Sequence, residues 1–338
     1  MRSHTVILGA GATIAAIPNG DRNGKYSSVM NGLFENLGLS SLLDGIDLNT
    51  KSRNIEDIYS ELSTKHEYKD VVQQLEKHLY DYFASLELPE EPTIYDLLIL
   101  SLTKNDVIAT FNWDPLLIQA YVRCHEITDN LPHVFCLHGN VAVGYCNAHK
   151  EFGVNDTVCP ECGDKLRPLN LLYPIANKEY NSNDYIKGCW EATQYILENS
   201  YMLTIFGYSA PKSDIAAMNL LRNAWGSPYS RQLEEVSIID ILEEDEVTMK
   251  WSDFIYSHHY RYSKDFFSSY LGMFPRRSCE TVFATKQLNF PPESNMGFRD
   301  GMTWCEIEEF LNDILFEETQ TIDGKNYPLY YVKKNRNK

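Results

Sequence analysis

Basic residues are in short supply. Only 30 lysines and arginines stand against 47 aspartates and glutamates in 338 residues, a formal net charge of −17. A chain this acidic repels a phosphate backbone on average, so direct binding of nucleic acid is not expected. Long apolar runs are also missing: nothing approaches the ~18 uninterrupted apolar residues of a membrane span, and no span is expected. Eight cysteines are too sparse for a disulfide scaffold. The first residues, Met1 to Gly9, show neither an apolar signal-peptide core nor a small-residue cleavage site, and a soluble, cytoplasmic protein is expected. What is present is a hydrophobic content of 43% with 12% aromatics, enough for a sizeable core and incompatible with global disorder.

Short apolar runs at Thr5–Leu8, Val107–Thr110, Val134–Leu137, Met202–Phe206 and Val236–Ile241 read as strands, with a weaker one at Thr281–Ala284. They are apolar on both faces, as strands buried between two helical layers should be. Helical patterns at Asp57–Leu62, Asp70–Leu86, Thr93–Ser101, Leu116–His125, Asp184–Glu198 and Ser213–Ala224 alternate with them. The alternation predicts an α/β fold with a Rossmann-type, doubly wound parallel sheet. The first two strands lie far further apart than a simple crossover requires, so a helical module is expected between them, over about 31–86. After Phe290 comes a proline pair, an acidic helical pattern at Thr303–Glu318 and a basic end, which read as a cap or an oligomer contact.

Polar and glycine-rich sequences collect where the strands end. Gly9-Ala10-Gly11-Ala12-Thr13 follows the first strand, and glycines there let a backbone turn tightly and approach a pyrophosphate. The usual third glycine is replaced by Ile14, so a nucleotide loop and a plain tight turn both remain open. Thr110-Phe111-Asn112-Trp113-Asp114 closes the second strand. Asn112 can orient a water or bond ribose hydroxyls, and Asp114 can hold its neighbours, cap the helix that opens near Pro115, or do both. Leu137-His138-Gly139 closes the third, where His138 is either a general base beside a substrate or a structural histidine. Gly207-Tyr208-Ser209 begins the loop after the fourth, with Ser213 as a helix N-cap. The fifth ends in Asp240-Ile241-Leu242-Glu243-Glu244, carboxylates placed to hold ribose hydroxyls. Separately, Cys146-x2-His149 and Cys159-x2-Cys162 have the spacing of a structural zinc knuckle, with Gly163 supplying the turn.

Taken in order, the glycine loop, the Asn112 and His138 strand ends, the cysteine ribbon followed by Leu166-Arg167-Pro168, and the Gly207–Ser209 loop resemble the sirtuin family over roughly residues 4 to 245. The resemblance implies an NAD-binding catalytic unit over 1–290, with the helical insertion at about 31–86 and a zinc ribbon at about 144–168, then a helical tail over 291–338. It implies that Gly9, Ala10 and Gly11 meet the pyrophosphate, with Thr13 of the same loop among the cofactor contacts, and that Asn112 and Asp114 lie near the nicotinamide ribose. His138 would be the catalytic base, and Gly207 and Ser209 would line phosphate and ribose. The sequence departs from the deacylases. Their first loop continues Ile-Pro-Asp-Phe-Arg, whereas here Ile17-Pro18-Asn19-Gly20-Asp21-Arg22 lacks the Asp-Phe pair. Phe111 and Trp113 replace the usual Gln and Ile, and Leu169–Tyr173 does not reproduce the apolar acyl-lysine clamp.

Without a recognisable peptide channel, water is the expected nucleophile at ribose C1′. The chain resembles the divergent bacterial sirtuin-like proteins of antiphage defence, which deplete NAD. The expected function is hydrolysis of NAD to nicotinamide and ADP-ribose, gated by homo-oligomerisation or by a separate sensor protein such as an ATPase. The alternatives are a protein deacylase or ADP-ribosyltransferase, and a non-catalytic module binding NAD or ADP-ribose.

Overall fold

The structure is a computed structural model describing residues 2–27, 30–52, 54–173, 183–211, 214–289, 297–322 and 325–326. Its centre is a six-stranded parallel sheet made of β1 (His4–Leu8), β2 (Val107–Thr110), β3 (His133–Cys136), β7 (Met202–Phe206), β8 (Glu235–Ile239) and β9 (Tyr260–Ser263), in the order β3-β2-β1-β7-β8-β9. The chain thus runs outward from β1 to one edge, then returns to build outward from β7. That reversal is the doubly wound order, with its switch point between β1 and β7. Alternate residues of β1 and β2 feed two cores on opposite faces. Val6, Leu8 and Ile108 face one, while Ile7, Val107 and Ala109 face the other. Burial on both faces is why these strands read as continuous apolar runs.

Between β1 and β2 lie α1 (Ala10–Ala16), α2 (Met30–Asn36), α3 (Ile55–Ser63), α4 (Lys69–Ala84) and α5 (Ile94–Leu100). Helix α3 is opened by Asn54, whose side chain accepts from the Glu56 amide, with Glu56 and Asp57 favourably placed at its positive end. Helix α5 opens with a reciprocal box between Thr93 and Asp96 and is buried from Tyr95 to Leu100. Asp96 also receives the guanidinium of Arg123, which locks α5 against α6 (Leu116–Cys124). In the first loop, Asp21 is buried. Its carboxylate accepts the amides of Asn23, Lys25 and Glu87, tying this loop to the chain between α4 and α5.

A small antiparallel sheet of β4 (Val143–Cys146), β5 (Glu151–Val154) and β6 (Arg167–Pro168), in the order β5-β4-β6, follows β3. Beyond it come α7 (Asp184–Asn199), α8 (Ile215–Trp225), α9 (Glu244–Lys250), α10 (Tyr270–Met273), α11 (Ser278–Gln287) and α12 (Trp304–Thr319), then a two-stranded ribbon of β10 (Thr321–Ile322) and β11 (Lys325–Asn326). Helix α12 buries Ile307 and Leu311 in the larger core, and Arg276 binds it through Glu318 while also donating to the carbonyls of Leu102 and Asn130. Among the described residues no helix is long and apolar enough to cross a membrane.

The weak strand expected at Thr281–Ala284 is instead part of α11. Ser278, Cys279, Thr281 and Val282 are its buried residues, which is the spacing of a helix face. The sixth strand is β9, whose Tyr260, Arg261 and Tyr262 are half-buried at the sheet edge. The third strand ends one residue early, at Cys136, and the fifth stops at Ile239, leaving Ile241 exposed. Ser213, read as a helix cap, lies outside the described residues, as do the proline pair and the basic end.

Candidate active site and candidate metal centre

The glycine loop and the loop after β7 meet backbone to backbone at the switch point. The Gly9 amide donates to the Phe206 carbonyl (3.1 Å), and the Gly11 amide to the Gly207 carbonyl (2.9 Å). A Cβ on Gly9 would fall 2.5 Å from the Tyr208 Cα, and one on Gly207 would fall 2.4 Å from the Ala12 nitrogen. Gly207 also sits at φ 60°, where a side chain is strained. Close packing of two loops thus suffices to demand these glycines. The amides of Gly9 and Gly11 are engaged within the protein, so the tight-turn reading holds for the loop whatever it binds.

Beside this junction, four side chains form a polar network. The Asn112 amide group lies within donating distance of the Gly9 carbonyl (2.9 Å), the Thr13 hydroxyl (3.0 Å) and the Tyr95 hydroxyl (3.1 Å). Thr13 donates to one Asp114 carboxylate oxygen (2.7 Å), and the other oxygen accepts the Leu116 amide (3.1 Å) at the start of α6. Asp114 therefore caps the helix and anchors the network, both readings at once. Asn140 donates to the Asp114 carbonyl (2.6 Å) and fixes the same turn from the β3 side. Burial pushes Asp114 up to about 6, against the hydrogen bonds from Thr13 and Leu116 that favour its charge. Burial also lifts the Tyr95 phenol well above its ordinary range, so it stays protonated. Thr13 is inside this network and buried, whereas Asn112 is partly exposed.

His138 is buried on the other side of Phe111. The two rings meet edge to face, with centroids 4.8 Å apart, and the opposite partner of Phe111 is Tyr208, stacked at 4.2 Å with 7° between planes. Nε2 of His138 lies 3.8 Å from a carboxylate oxygen of Asp214, and the Tyr208 hydroxyl donates to the other oxygen (2.9 Å). Neither Asp214 nor Tyr95 is singled out by the sequence pattern. Asp214 sits beyond the glycine-serine loop, and only its burial and its nearness to His138 reveal it.

The chain after the small sheet closes down on the same strand end. Leu172 donates its amide to the His138 carbonyl (2.9 Å), Leu169 and Leu171 are buried, and Tyr173 donates to the Glu76 carbonyl of α4. Ser209 is exposed and Asp240 half-exposed at the ends of β7 and β8, with Asp240 also accepting the Leu242 amide (3.0 Å). Glu243 and Glu244 are engaged elsewhere, by Lys264 and the Tyr260 hydroxyl. Ala10, Gly11, Asn112, Gly207, Ser209 and Asp240 thus form a partly exposed rim along the carboxyl edge of β2, β1, β7 and β8. Two surface cavities lie elsewhere, one of about 760 Å³ beside Arg222 and Tyr256, the other of about 420 Å³ beside Arg2 and Arg276.

In the small sheet, the ligand atoms of Cys146, His149, Cys159 and Cys162 all lie within 4.8 Å of one another. The Cys146 sulfur is 3.5 Å from Nδ1 of His149 and 3.8 Å from the Cys162 sulfur, and the Cys159 sulfur is 3.7 Å from the same Nδ1. Tetrahedral zinc with Zn–S near ~2.3 Å and Zn–N near ~2.0 Å needs ligand separations of about 3.5–3.8 Å. The donor set and its spacing fit, and the fold is a Rossmann-like parallel sheet with a cluster consistent with a zinc-binding insert.

The chain is similar in structure, at low sequence identity, to solved Sir2 proteins. One is a Sir2 in complex with an inhibitor, 2′-O-acetyl-ADP-ribose and a deacetylated p53 peptide, at 12% identity and TM-score 0.40, covering 86% of this chain and 94% of that chain. A Sir2 homolog–NAD complex shows 14% identity and TM-score 0.38, covering 77% and 83%. A structure concerned with sirtuin substrate affinity shows 14% identity and TM-score 0.41, covering 78% and 89%. No family model matches the chain, and no curated protein matches it.

Proposed function

We propose that the protein is an NAD⁺ hydrolase, which splits the nicotinamide–ribose bond with water to give nicotinamide and ADP-ribose. The observation that supports it most is the convergence of two polar assemblies at one sheet edge. The Asn112 network, bonded to the loop after β1, and the buried His138, beside Asp214 from the loop after β7, both reach the switch point of a doubly wound sheet, where such folds hold dinucleotides. In this reading the partly exposed rim from Ala10 to Asp240 holds the dinucleotide. Asn112, fixed by Gly9, Thr13 and Tyr95, orients the ribose or the attacking water, and Asp114 keeps that asparagine's surroundings in place. His138 takes a proton from the water as its oxygen bonds C1′, while the electron pair of the broken C–N bond leaves with nicotinamide. The proton then passes to solvent. Cys146, His149, Cys159 and Cys162 would hold zinc in a structural role, since four protein ligands would leave no open position for chemistry.

Water rather than an acyl-lysine is favoured by the segment after the small sheet. Leu169 and Leu171 turn into the core, and the Leu172 amide is bonded to the His138 carbonyl, so this stretch packs against the strand end with its own backbone. The burial of His138 beneath Phe111 supports a gated enzyme. We place it as an NAD-depleting effector of bacterial antiphage defence, released by self-assembly or by a separate sensor such as an ATPase. The same proposal takes 1–290 as the catalytic unit and 291–338 as its helical tail.

The test is to incubate the pure protein with NAD, alone and with candidate activators, and quantify nicotinamide. Release is expected, and Asn112→Ala and His138→Ala should each lower it by about 10²-fold or more. Release that needs an acylated or acceptor peptide would instead identify a deacylase or transferase. Tight NAD binding with no turnover under any activator would identify a binding module.

A further inference from the structure

His138 has a carboxylate partner. We propose that Asp214 is a positioning residue for His138, holding the imidazole in one orientation and balancing the charge it gains on taking up a proton, with the Tyr208 hydroxyl holding the carboxylate in turn. The proposal rests on His138 being the base of the hydrolysis described above, but the pairing itself is a separate claim.

Three observations carry it. Asp214 is buried at the start of α8 with a carboxylate oxygen 3.8 Å from Nε2 of His138, a separation at which a charge on the ring is felt strongly in a water-poor site. The second carboxylate oxygen accepts the Tyr208 hydroxyl at 2.9 Å, while the first is the one nearer the ring. Phe111 then fixes both ends of the chain, since Tyr208 stacks on it and the His138 ring meets its face edge-on. Other described elements bring uncharged groups to this strand end. The turn after β2 presents the Phe111 ring. Trp190 of α7 packs on that ring and donates its indole N–H to the Leu137 carbonyl, and the chain after the small sheet presents the Leu172 amide. Among the described residues of the loop after β7, Asp214 faces the ring, and the Tyr208 phenol sits on its carboxylate.

A base oriented by a buried carboxylate is a recurring arrangement, because the carboxylate selects which ring nitrogen carries the proton and steadies the cation that forms. In this pairing Nε2 is turned to Asp214, and the proton from the water is taken at Nδ1. Uptake of the proton at Nδ1 makes the imidazolium, and its loss to solvent restores the neutral ring.

The experiment follows the His138 ring C–H signal by NMR in ¹³C-histidine-labelled full-length protein from pH 5 to 9, assigned by its loss in His138→Gln. Asp214→Asn should move the His138 midpoint down by about one unit or more, Tyr208→Phe by less, and Asp214→Glu should restore most of it. In parallel, nicotinamide release by Asp214→Asn should lose at least about 10-fold in kcat with little change in KM, and its acid limb should move to lower pH. An unchanged His138 midpoint in Asp214→Asn overturns the pairing, whatever the activity. A shifted midpoint in a protein that releases no nicotinamide keeps the pairing and overturns the hydrolysis instead. Should Asp214→Asn not fold, Tyr208→Phe and Asp214→Glu decide, with no shift in either counting against the pairing.

Discussion

At the scale of single residues, the site depends on polar groups that are buried and mutually satisfied. Asp114 shows what this costs. Its carboxyl is held at about 6, above its ordinary 3.8, because burial outweighs the hydrogen bonds that favour the charged form. The folded state therefore binds the proton more tightly than the unfolded chain. Below about pH 4 both states are protonated and nothing is lost. Between about pH 4 and 6 the unfolded chain ionises first, so folding stability falls as pH rises, by roughly 2–3 kcal/mol, and stays at the lower level above that. Asp114→Asn removes this titration. The stability of wild type relative to Asp114→Asn, from urea unfolding, is expected to drop by that amount between pH 4 and pH 7. A constant difference across the range would mean Asp114 is not held in this way. Asp106, raised to about 6 by burial at the other end of the sheet, titrates in the same direction in both proteins and cancels in the comparison.

At the scale of elements, strands buried on both faces announce themselves in sequence as Val- and Ile-rich runs, and so do the polar residues that follow them. That is why the strand ends at Gly9, Asn112 and His138 were legible. The half-buried edge strand β9 was not, because Tyr260-Arg261-Tyr262-Ser263 is short and neither fully apolar nor clearly alternating. Its place was given to Val282 and Phe283, whose apolar pair belongs to a helix face anchored on Cys279. Asp214 and Tyr95 escaped for another reason: each acts through partners distant in sequence, and spacing along one chain says nothing of that. The cysteine cluster was the opposite case, since two knuckles fix the ligands locally. For this element the expectation is one zinc per chain, lost on chelation or in Cys159→Ser. Amide exchange should then rise across β4, β5 and β6, which share no strand pairing with the main sheet, while β1, β2 and β7 stay protected. Protection of β4 to β6 that survives metal removal would show that the small sheet stands by its own packing.

At the scale of the whole molecule, the two ends of the sheet are built for different ends. The amino edge is tied together by buried hydrogen bonds. His4 bonds Ser278 and Thr204 through its ring and Asp106 through its amide, and Arg276 binds the carbonyls of Leu102 and Asn130 while holding α12. The carboxyl edge carries the loops, the polar network and the partly exposed rim. An anionic dinucleotide approaching that rim meets a molecule of net charge −17, and the long-range field opposes the encounter. Local donors can still hold the pyrophosphate once it arrives, since short-range hydrogen bonds are not screened as distant charges are. The two contributions separate with salt. Raising ionic strength from about 20 to 200 mM shortens the screening length from roughly 20 Å to below 10 Å, which weakens the repulsion and leaves bound contacts nearly intact. If the field acts on the encounter, kcat/KM for NAD should rise about two-fold over that range with kcat unchanged. A fall in kcat/KM would place attractive positive charge at the crevice mouth and reverse the argument.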